Sequence, residues 1–417
     1  MAEKINDLQN QPLIKNNQQQ PLFMSYSYYK EIFKHTPTPF AFVDKDILLA
    51  NCQAILKRAQ DKKIRIATKS VRSVEVLKFL LAQSPQMQGL MCYSAEEAAW
   101  LAELGFDDLL VAYPTVQKNH LEQVAARVKL GKKIILMANQ PEHLQQLQKI
   151  AAQEGIIQPI CVDIDLSMPF FGLHFGVKRS NLTNAAQLGD FISILNQSPN
   201  LKLCGLMGYE AQIAGVGDVM KGRLLMNKII QYLKRKSIKK LRQWRAQAVE
   251  MLLKAGFKLD FVNGGGTGSL ESSREEGVIT EVAVGSGFYS PTLFDHYSNF
   301  RHQPAALFAL EICRIPQKGV YTCLGGGYVA SGSVGKEKLP LPCLPEGCVL
   351  DNNEGAGEVQ TPVLYAGDEK LAVGDLVFFR HAKAGELCER FNRLYWVEKG
   401  EIAQEILTYR GEGKCFV

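Results

Sequence analysis

The chain has 417 residues, of which 46% are hydrophobic and 22% are charged, and its formal net charge is +6. This composition is that of a globular protein rather than a disordered one, and the length predicts about two domains. Much of the excess of positive over negative charge lies in KRKSIKKLRQWRAQ, from Lys234 to Gln247. No aromatic platform or nucleic-acid-binding motif accompanies this run, so we interpret it as the solvated face of a helix and expect no nucleic-acid partner.

The amino-terminal stretch MAEKINDLQNQPLIKNNQQQPLF has no apolar region like that of a secretory signal, and no later stretch has the apolar length of a membrane span. We therefore expect a cytoplasmic protein that makes no membrane contact. The ten cysteines include no CxxC pair and no tight cluster. This usage is typical of reduced thiols in a protein core.

Residues 1–36 are rich in Asn and Gln up to an aromatic stretch, and we expect this segment to pack with the carboxy-terminal domain. Across residues 37–296, β-rich runs alternate with helix-length amphipathic segments such as SAEEAAWLAELG. The eight runs are, in chain order, IRIATKS, GLMCYS, DLLVAYP, KIILMAN, PICVDID, LCGLMGY, LDFVNGGGT and EVAVGSG. Eight strands separated by helices predict an α/β fold in which a (β/α)8 TIM barrel forms the first domain.

An open, doubly wound sheet is the alternative to the barrel. It would need fewer consecutive units and a phosphate loop after its first strand, but no GxGxxG motif stands there. From residue 297 to 417 the pattern changes to short strands between Gly- and Pro-rich turns, as in RIPQKGVYTCLGGGYVASG. This pattern predicts a β-rich carboxy-terminal domain.

Lys69 follows the first predicted barrel strand, on the face where barrel enzymes assemble their sites. A lone lysine at a strand end is usually only solvated. Here the last two strands run into the glycine-rich stretches NGGGTGS and GSGFYSP, where backbone N–H groups and the hydroxyls of Thr267 and Ser286 are suited to bind a phosphate. A lysine opposite a phosphate cradle predicts a phosphorylated carbonyl compound held as a Schiff base, as pyridoxal phosphate is held.

With these features the chain resembles the fold-type III pyridoxal-phosphate enzymes, the alanine racemase superfamily, and within it the D-threonine aldolase and D-serine dehydratase branch. The resemblance runs from TPFAFVDKDILLANC to YRGEG near the end. It implies that Lys69 forms the Schiff base, with Arg72 and Tyr289 as accessories. It also implies that two loops hold the phosphate, through Gly265, Gly266, Thr267, Gly285, Ser286 and Gly287.

The stretch GLMGYEAQIAGVGD resembles the sixth-strand segment of this branch. The resemblance implies polar groups directed toward the cofactor ring, which makes Tyr209 and Glu210 catalytic candidates and Tyr209 a cofactor contact. The alternative for Tyr209 is a partly buried tyrosine that only caps its strand.

One departure from the branch lies in DLSMPFFGLHFGV, where relatives often place an arginine against the pyridine nitrogen. Alignment on the Met and Gly puts Phe170 at that position. A phenyl ring neither donates nor accepts a proton. Either another side chain, such as His174, contacts the nitrogen, or the pyridine ring stays poorly protonated.

A second departure concerns a divalent metal, which the branch binds through a His-x-Cys or His-x-Asp pair beside the cofactor. The corresponding segment here reads RHAKAGELCERFNRLYWV. Aligned on its Phe-Asn pair, Cys388 falls on the family's cysteine and Glu386 on its histidine; aligned on His381, Lys383 takes the second position and is no ligand at neutral pH. Glu386 and Cys388 with His381 are suitable donors for zinc or manganese. The alternative is that Cys388 is an ordinary core thiol.

The resemblance implies a lyase acting on a D-amino acid, one with a β-hydroxyl, by retro-aldol cleavage or by dehydration and deamination. It also implies a homodimer. Three alternatives stay open: an amino-acid racemase on the same scaffold, a non-catalytic pyridoxal-phosphate-binding protein, and an aldolase that uses Lys69 on a sugar phosphate without any cofactor. The long carboxy-terminal domain favours catalysis over simple cofactor binding.

Overall fold

Eight parallel strands form a closed barrel in the computed structural model, which describes residues 25–170, 172–333 and 335–417. The chain enters through strand β1 (Phe40–Asp44). It continues with β2 (Lys63–Ala67), β3 (Met87–Cys92), β4 (Leu109–Val111), β5 (Ile134–Ala138), β6 (Gln158–Asp163), the hairpin strands β7 (Met168–Phe170) and β8 (Leu173–Phe175), then β9 (Leu201–Met207), β10 (Phe261–Gly264) and β11 (Glu281–Val284). The barrel closes in the order β10, β11, β2, β3, β4, β5, β6, β9. The predicted TIM barrel is confirmed, and each of its strands overlaps one of the eight runs.

Eleven α-helices lie in the described ranges, and most of them surround the barrel. They are α1 (Tyr26–Ile32), α2 (Lys45–Ala59), α3 (Val74–Leu81), α4 (Ala95–Glu103), α5 (Lys118–Lys129), α6 (Pro141–Glu154), α7 (Ala185–Leu195), α8 (Ala211–Ala214), α9 (Leu224–Lys254), α10 (Leu270–Arg274) and α11 (Ser286–Tyr289). Side-chain caps begin several of them; Asn184, for example, accepts hydrogen bonds from two backbone N–H groups of α7. The basic run predicted as a helix lies within α9. Across the described ranges, no helix combines the length and the apolar character that a bilayer crossing requires.

A second sheet forms the carboxy-terminal domain, so the predicted β-rich domain is confirmed. Its strands are β12 (Ala306–Gln317), β13 (Val320–Leu324), β14 (Leu341–Leu344), β15 (Val349–Leu350), β16 (Gln360–Leu364), β17 (Leu376–Arg380), β18 (Arg393–Glu398) and β19 (Glu401–Leu407). Strand β1 joins this sheet, antiparallel to β12 and parallel to β18. The structure therefore differs from the predicted barrel range of 37–296, because the first barrel strand begins only at Lys63.

Helix α1 packs on the same second sheet. The Tyr26 hydroxyl donates to the Leu376 carbonyl at 3.0 Å, and Tyr29 and Phe33 lie in an aromatic cluster with Phe42 and Phe378. Residues 1–24 of the predicted 1–36 segment lie outside the described residues.

The two domains meet beside the turn that carries Lys69. The backbone N–H of Thr292 donates to the His381 carbonyl at 3.1 Å, and the N–H of Tyr409 donates to the Arg72 carbonyl at 2.9 Å. Gly385 lies so close that a Cβ added to it would collide with the Lys69 carbonyl oxygen. The second domain therefore fixes one wall of the barrel mouth.

Candidate active site

Lys69 lies in a short 3-10 turn, Thr68–Ser70, that directly follows β2. The flanking residues Thr68 and Ser70 are buried while the Lys69 side chain is exposed. The Thr68 hydroxyl donates to the Met91 carbonyl at 3.0 Å and so ties the turn to β3. The turn therefore directs the Lys69 amine into the cavity at the carboxyl end of the barrel, where the phosphate loops also lie.

The two glycine-rich loops contact each other across this cavity. The Gly287 N–H donates to the Thr267 hydroxyl at 3.0 Å, which joins the loop after β11 to the loop after β10. The hydroxyls of Ser286 and Ser70 lie 3.2 Å apart, so the loop after β11 also touches the Lys69 turn. The structure brings Gly265, Gly266, Thr267, Gly285 and Ser286 together with Lys69 in the lining of one cavity of about 150 Å³.

Glycine is needed in these loops for reasons of space and of backbone conformation. A Cβ on Gly285 would lie 2.8 Å from the Ser70 side chain and 2.9 Å from the Ala67 Cβ. Gly265 has φ of +82°, a conformation that residues with a side chain rarely adopt. The resulting cradle, with hydroxyls on its wall and an amine opposite, fits the phosphate and the aldehyde of pyridoxal phosphate.

Replacing Gly285 by valine is expected to weaken pyridoxal-phosphate binding by about tenfold or more, because the new side chain overlaps Ser70 and displaces the loop. Gly277→Val is the matched control, since no atom lies within 4 Å of a Cβ at that position. Titration of the cofactor-free proteins with pyridoxal phosphate, followed by absorbance, measures the effect. Equal affinity in the two variants would place the phosphate elsewhere.

Arg72 and Tyr289 both hold the backbone of the Lys69 turn. The Arg72 Nε donates to the Lys69 carbonyl at 3.0 Å, and its guanidinium forms an ion pair with Glu389 in the second domain. The Tyr289 hydroxyl donates to the Val71 carbonyl at 3.1 Å from a fully buried position. Their contacts make both residues supports of the backbone at the Lys69 turn.

Tyr209 follows β9 and is half-buried in the cavity wall. Its ring lies 3.3 Å from the position of a Cβ on Gly266, so it packs against the phosphate loop. Burial, reinforced by the Glu210 carboxylate and opposed by Arg179, raises the pKa of Tyr209 to about 12. The phenol therefore stays protonated near neutral pH and acts as a hydrogen-bond donor.

Glu210 points away from the cavity that holds its neighbour. Its carboxylate is 3.0 Å from the Arg245 guanidinium and accepts hydrogen bonds from the hydroxyls of Ser269 and Ser273. Both Glu210 and Arg245 are at most 1% exposed. Within the described ranges Glu210 is absent from the cavity lining. This placement corrects the expectation of a catalytic Glu210, because its charge is used in a buried ion pair.

The structure does not bring the expected metal ligands His381, Glu386 and Cys388 together. The Cys388 thiol donates to the Val71 carbonyl at 3.3 Å, and burial raises the pKa of this thiol to about 12. Glu386 instead accepts from the Ser331 N–H at 3.0 Å. Burial, with the adjacent Arg380, lowers the pKa of His381 to about 3. Over the part of the chain that the structure describes, no three His, Cys, Asp or Glu side chains form a group suited to a metal ion.

Among the cavity residues that were not predicted from the sequence are Arg179 and Tyr113. Arg179 comes nine positions after Phe170, because the β7–β8 hairpin reverses the chain before the segment returns to the barrel mouth. His174 lies on that hairpin and is exposed. Arg179 therefore brings a guanidinium into the cavity wall, although the Phe170 position offers none. Tyr113 lies two residues beyond the end of β4. Its position just after a barrel strand is the feature of the sequence that could have identified it as a site residue.

The model of the family described as "Alanine racemase, N-terminal domain" matches residues 43–292, more than half of the 417 residues. A 3-hydroxy-D-aspartate aldolase of Paracoccus denitrificans (strain Pd 1222) is 23% identical over 251 residues, 60% of this chain and 59% of the relative. The chain thus spans about 59% of the length of the curated relatives that it matches.

Solved structures share the whole architecture. A D-threonine aldolase from Filomicrobium marinum superposes with a TM-score of 0.76 at 16% identity, over 90% of this chain and 95% of that one. A D-threo-3-hydroxyaspartate dehydratase from Delftia sp. HT23 superposes with a TM-score of 0.72 at 17% identity, over 90% and 98% of the two chains. At such identities the likeness shows the fold. Because the family model covers the barrel with its lysine turn and both glycine loops, the chain belongs to the alanine racemase N-terminal domain family.

Proposed function

We propose that this protein is a pyridoxal-phosphate-dependent lyase that cleaves a D-amino acid carrying a β-hydroxyl group, by a retro-aldol reaction. The observation that carries the proposal is the single cavity in which the Lys69 amine faces two mutually hydrogen-bonded glycine loops. The aldolase and dehydratase names of its relatives support a lyase.

Each part of the cavity has a role in this proposal. Thr267, Ser286 and the loop backbone would bind the phosphate, and the Lys69 amine would hold the cofactor aldehyde. The cofactor, when bound, delocalises the electron pair left on Cα after a bond to Cα breaks. Arg179 and Tyr209 supply a positive charge and a hydrogen-bond donor for the polar edge of a bound ring.

Arg179 is held rigidly enough for such a role. Its Nε is 2.8 Å from the Asp163 carboxylate, which is only 1% exposed, and a second guanidinium nitrogen donates to the Ala112 carbonyl at 2.7 Å. The guanidinium carbon lies 5.6 Å from the centre of the Tyr209 ring. Paired on one side and stacked on the other, the cation keeps a fixed position in the cavity wall.

A racemase is the weaker alternative, since racemisation needs a proton-transfer group on each face of the substrate. Two tyrosines of the second domain, Tyr321 and Tyr328, pack on other aromatic rings in the described ranges. Tyr328 packs 5.1 Å from the Phe308 ring and 5.5 Å from the Phe391 ring, and Tyr321 lies 6.3 Å from the Tyr365 ring. Neither lines the Lys69 cavity.

Turnover of a panel of D- and L-amino acids with identification of the products tests the proposal. Among D-threonine, D-allothreonine, D-serine and D-3-hydroxyaspartate, we expect glycine and an aldehyde from at least one, and no reaction of the L-enantiomers. A keto acid with ammonia would instead establish a dehydratase. Inverted amino acid without cleavage would establish a racemase, and inactivity across the panel would overturn the proposal.

A further inference from the structure

Tyr113 faces Lys69 across the cavity, in a contact that the binding of a cofactor does not explain. Its hydroxyl lies 3.5 Å from the Lys69 amine nitrogen. The side chain is 40% exposed, so a substrate entering the cavity reaches the hydroxyl. Tyr113 therefore lies where a proton-transfer group would contact both the substrate and the lysine.

The backbone around Tyr113 is fixed by the same arginine that lines the cavity. Arg179 donates to the carbonyl of Ala112, the residue before Tyr113, and its guanidinium carbon lies 4.9 Å from the centre of the Tyr113 ring. The Arg179 charge is in turn held by the buried Asp163. Tyr113 is thus placed between two cations, one from the turn after β2 and one from the loop after the β7–β8 hairpin.

These charges favour the phenolate form of Tyr113. Burial alone would raise the pKa of Tyr113, but the ammonium of Lys69 and the guanidinium of Arg179 outweigh it and hold that pKa below the usual value. Tyr209 also interacts electrostatically with Tyr113, and the Asp163 carboxylate forms an ion pair with Arg179. The pKa values of Tyr113 and Tyr209 are shifted in opposite directions, and Tyr209, at a pKa of about 12, remains a donor. Opposite pKa shifts of two phenols in one site indicate that the two tyrosines have different roles.

We propose, resting on the aldol cleavage proposed above, that Tyr113 is the catalytic base for the substrate's β-hydroxyl and exchanges its proton with Lys69. The Tyr113 phenolate takes the hydroxyl proton as the Cα–Cβ bond breaks and the β-carbon becomes an aldehyde. The electron pair of the broken bond stays on Cα, which receives a proton from the ammonium of Lys69, an amine that is free once the substrate amine has replaced it at the cofactor aldehyde, to give glycine. The proton on Tyr113 then passes to the Lys69 amine across their 3.5 Å contact. Phenolate and ammonium are both restored, so protons and electrons balance.

Tyr113→Phe tests this role, with Tyr232→Phe as the matched control, because Tyr232 is an exposed tyrosine on α9, 46% accessible, and outside the cavity. In the cofactor-free full-length protein, ultraviolet titration is expected to show one phenol that ionises before the others. This step should be lost in Tyr113→Phe and kept in Tyr232→Phe. The readout does not depend on turnover, so it checks the electrostatic arrangement by itself.

In the cofactor-loaded enzyme, Tyr113→Phe is expected to lower kcat for cleavage by about 100-fold or more. The rise of kcat with pH, which reports formation of the phenolate, should disappear in this variant. Its affinity for pyridoxal phosphate should stay within about twofold of the wild-type value, because the phosphate loops are untouched.

The outcomes separate this inference from the proposed function. If the wild-type protein releases an aldehyde and Tyr113→Phe does so at the same rate with the same pH profile, only the role of Tyr113 is overturned. An unchanged phenol titration in Tyr113→Phe would overturn it as well. If the wild-type protein releases no aldehyde from any D-amino acid of the panel, the aldol proposal falls and this inference falls with it.

Discussion

Replacing Lys69 by alanine is expected to abolish the yellow colour of the cofactor-loaded protein and to lower lyase activity by about 1,000-fold or more. The reason is chemical, because the variant has neither the amine that binds the cofactor aldehyde nor the proton donor of the cavity. The change should cost little stability, within about 0.5 kcal/mol, because the Lys69 side chain is exposed. Absorbance of the purified protein, cleavage assays and denaturant titration measure the three effects.

Lys63→Ala is the matched control for this variant. Lys63 begins the same strand β2 at the opposite end of the barrel, is also exposed, and makes a contact of 3.4 Å with the Pro85 carbonyl. We expect this variant to keep its colour and its activity. A Lys69→Ala protein that stays yellow and active would show that another amine holds the cofactor.

The largest stability effect is expected at Arg245. Its side chain is completely buried and bridges two carboxylates, Glu210 at 3.0 Å and Glu276. Arg245→Met leaves both carboxylates buried without their cation, which should lower the free energy of unfolding by about 3 to 5 kcal/mol. Urea titration followed by far-ultraviolet circular dichroism measures this difference.

Arg242→Met, three residues earlier on α9, is the control. Arg242 pairs with Glu275 at 2.9 Å, but the two side chains are 34% and 61% exposed, so its loss should cost less than about 1 kcal/mol. If Arg245→Met were as stable as Arg242→Met, Glu210 would not be held by a structural ion pair. Its exclusion from the catalytic residues would then lose its physical basis.

The barrel was predictable because its strands are short apolar runs separated by amphipathic helices, a pattern that local sequence displays directly. The position of Lys69 followed from the same pattern, since all carboxyl ends of barrel strands open on one face. The sheet to which β1 belongs was not predictable in this way. Its run FAFVD is as apolar as a barrel strand, and only its pairing with β12 and β18 assigns it to the second sheet.

The direction of a side chain after a strand end could not be predicted from the sequence. Tyr209 and Glu210 are neighbours, yet one lines the cavity and the other binds Arg245, 35 positions later in the chain. Arg179 was not predicted because only the folding of the β7–β8 hairpin, and not a local pattern in the sequence, brings it to the cavity. In each case a contact distant in sequence determines the role of the side chain.

The same limit applies to the expected metal ligands. Glu386 and Cys388 lie in one 3-10 turn, Ala384–Glu389, two positions apart. Their donor atoms diverge, since Glu386 turns outward to Ser331 and Cys388 turns inward to Val71. A spacing that suits a pair of ligands does not ensure that the two side chains point to one place.

Borohydride reduction of the wild-type protein loaded with pyridoxal phosphate, followed by peptide mapping, tests most directly whether Lys69 is the cofactor-binding residue of this cavity. Reduction fixes the cofactor on the amine that holds it, and mass spectrometry identifies the modified lysine. We predict one stoichiometric label, on Lys69, that is absent from Lys69→Ala and retained in Lys63→Ala. A label on another lysine, such as Lys338 or Lys383 in the neighbouring groove, or no stoichiometric label at all, would contradict the assignment.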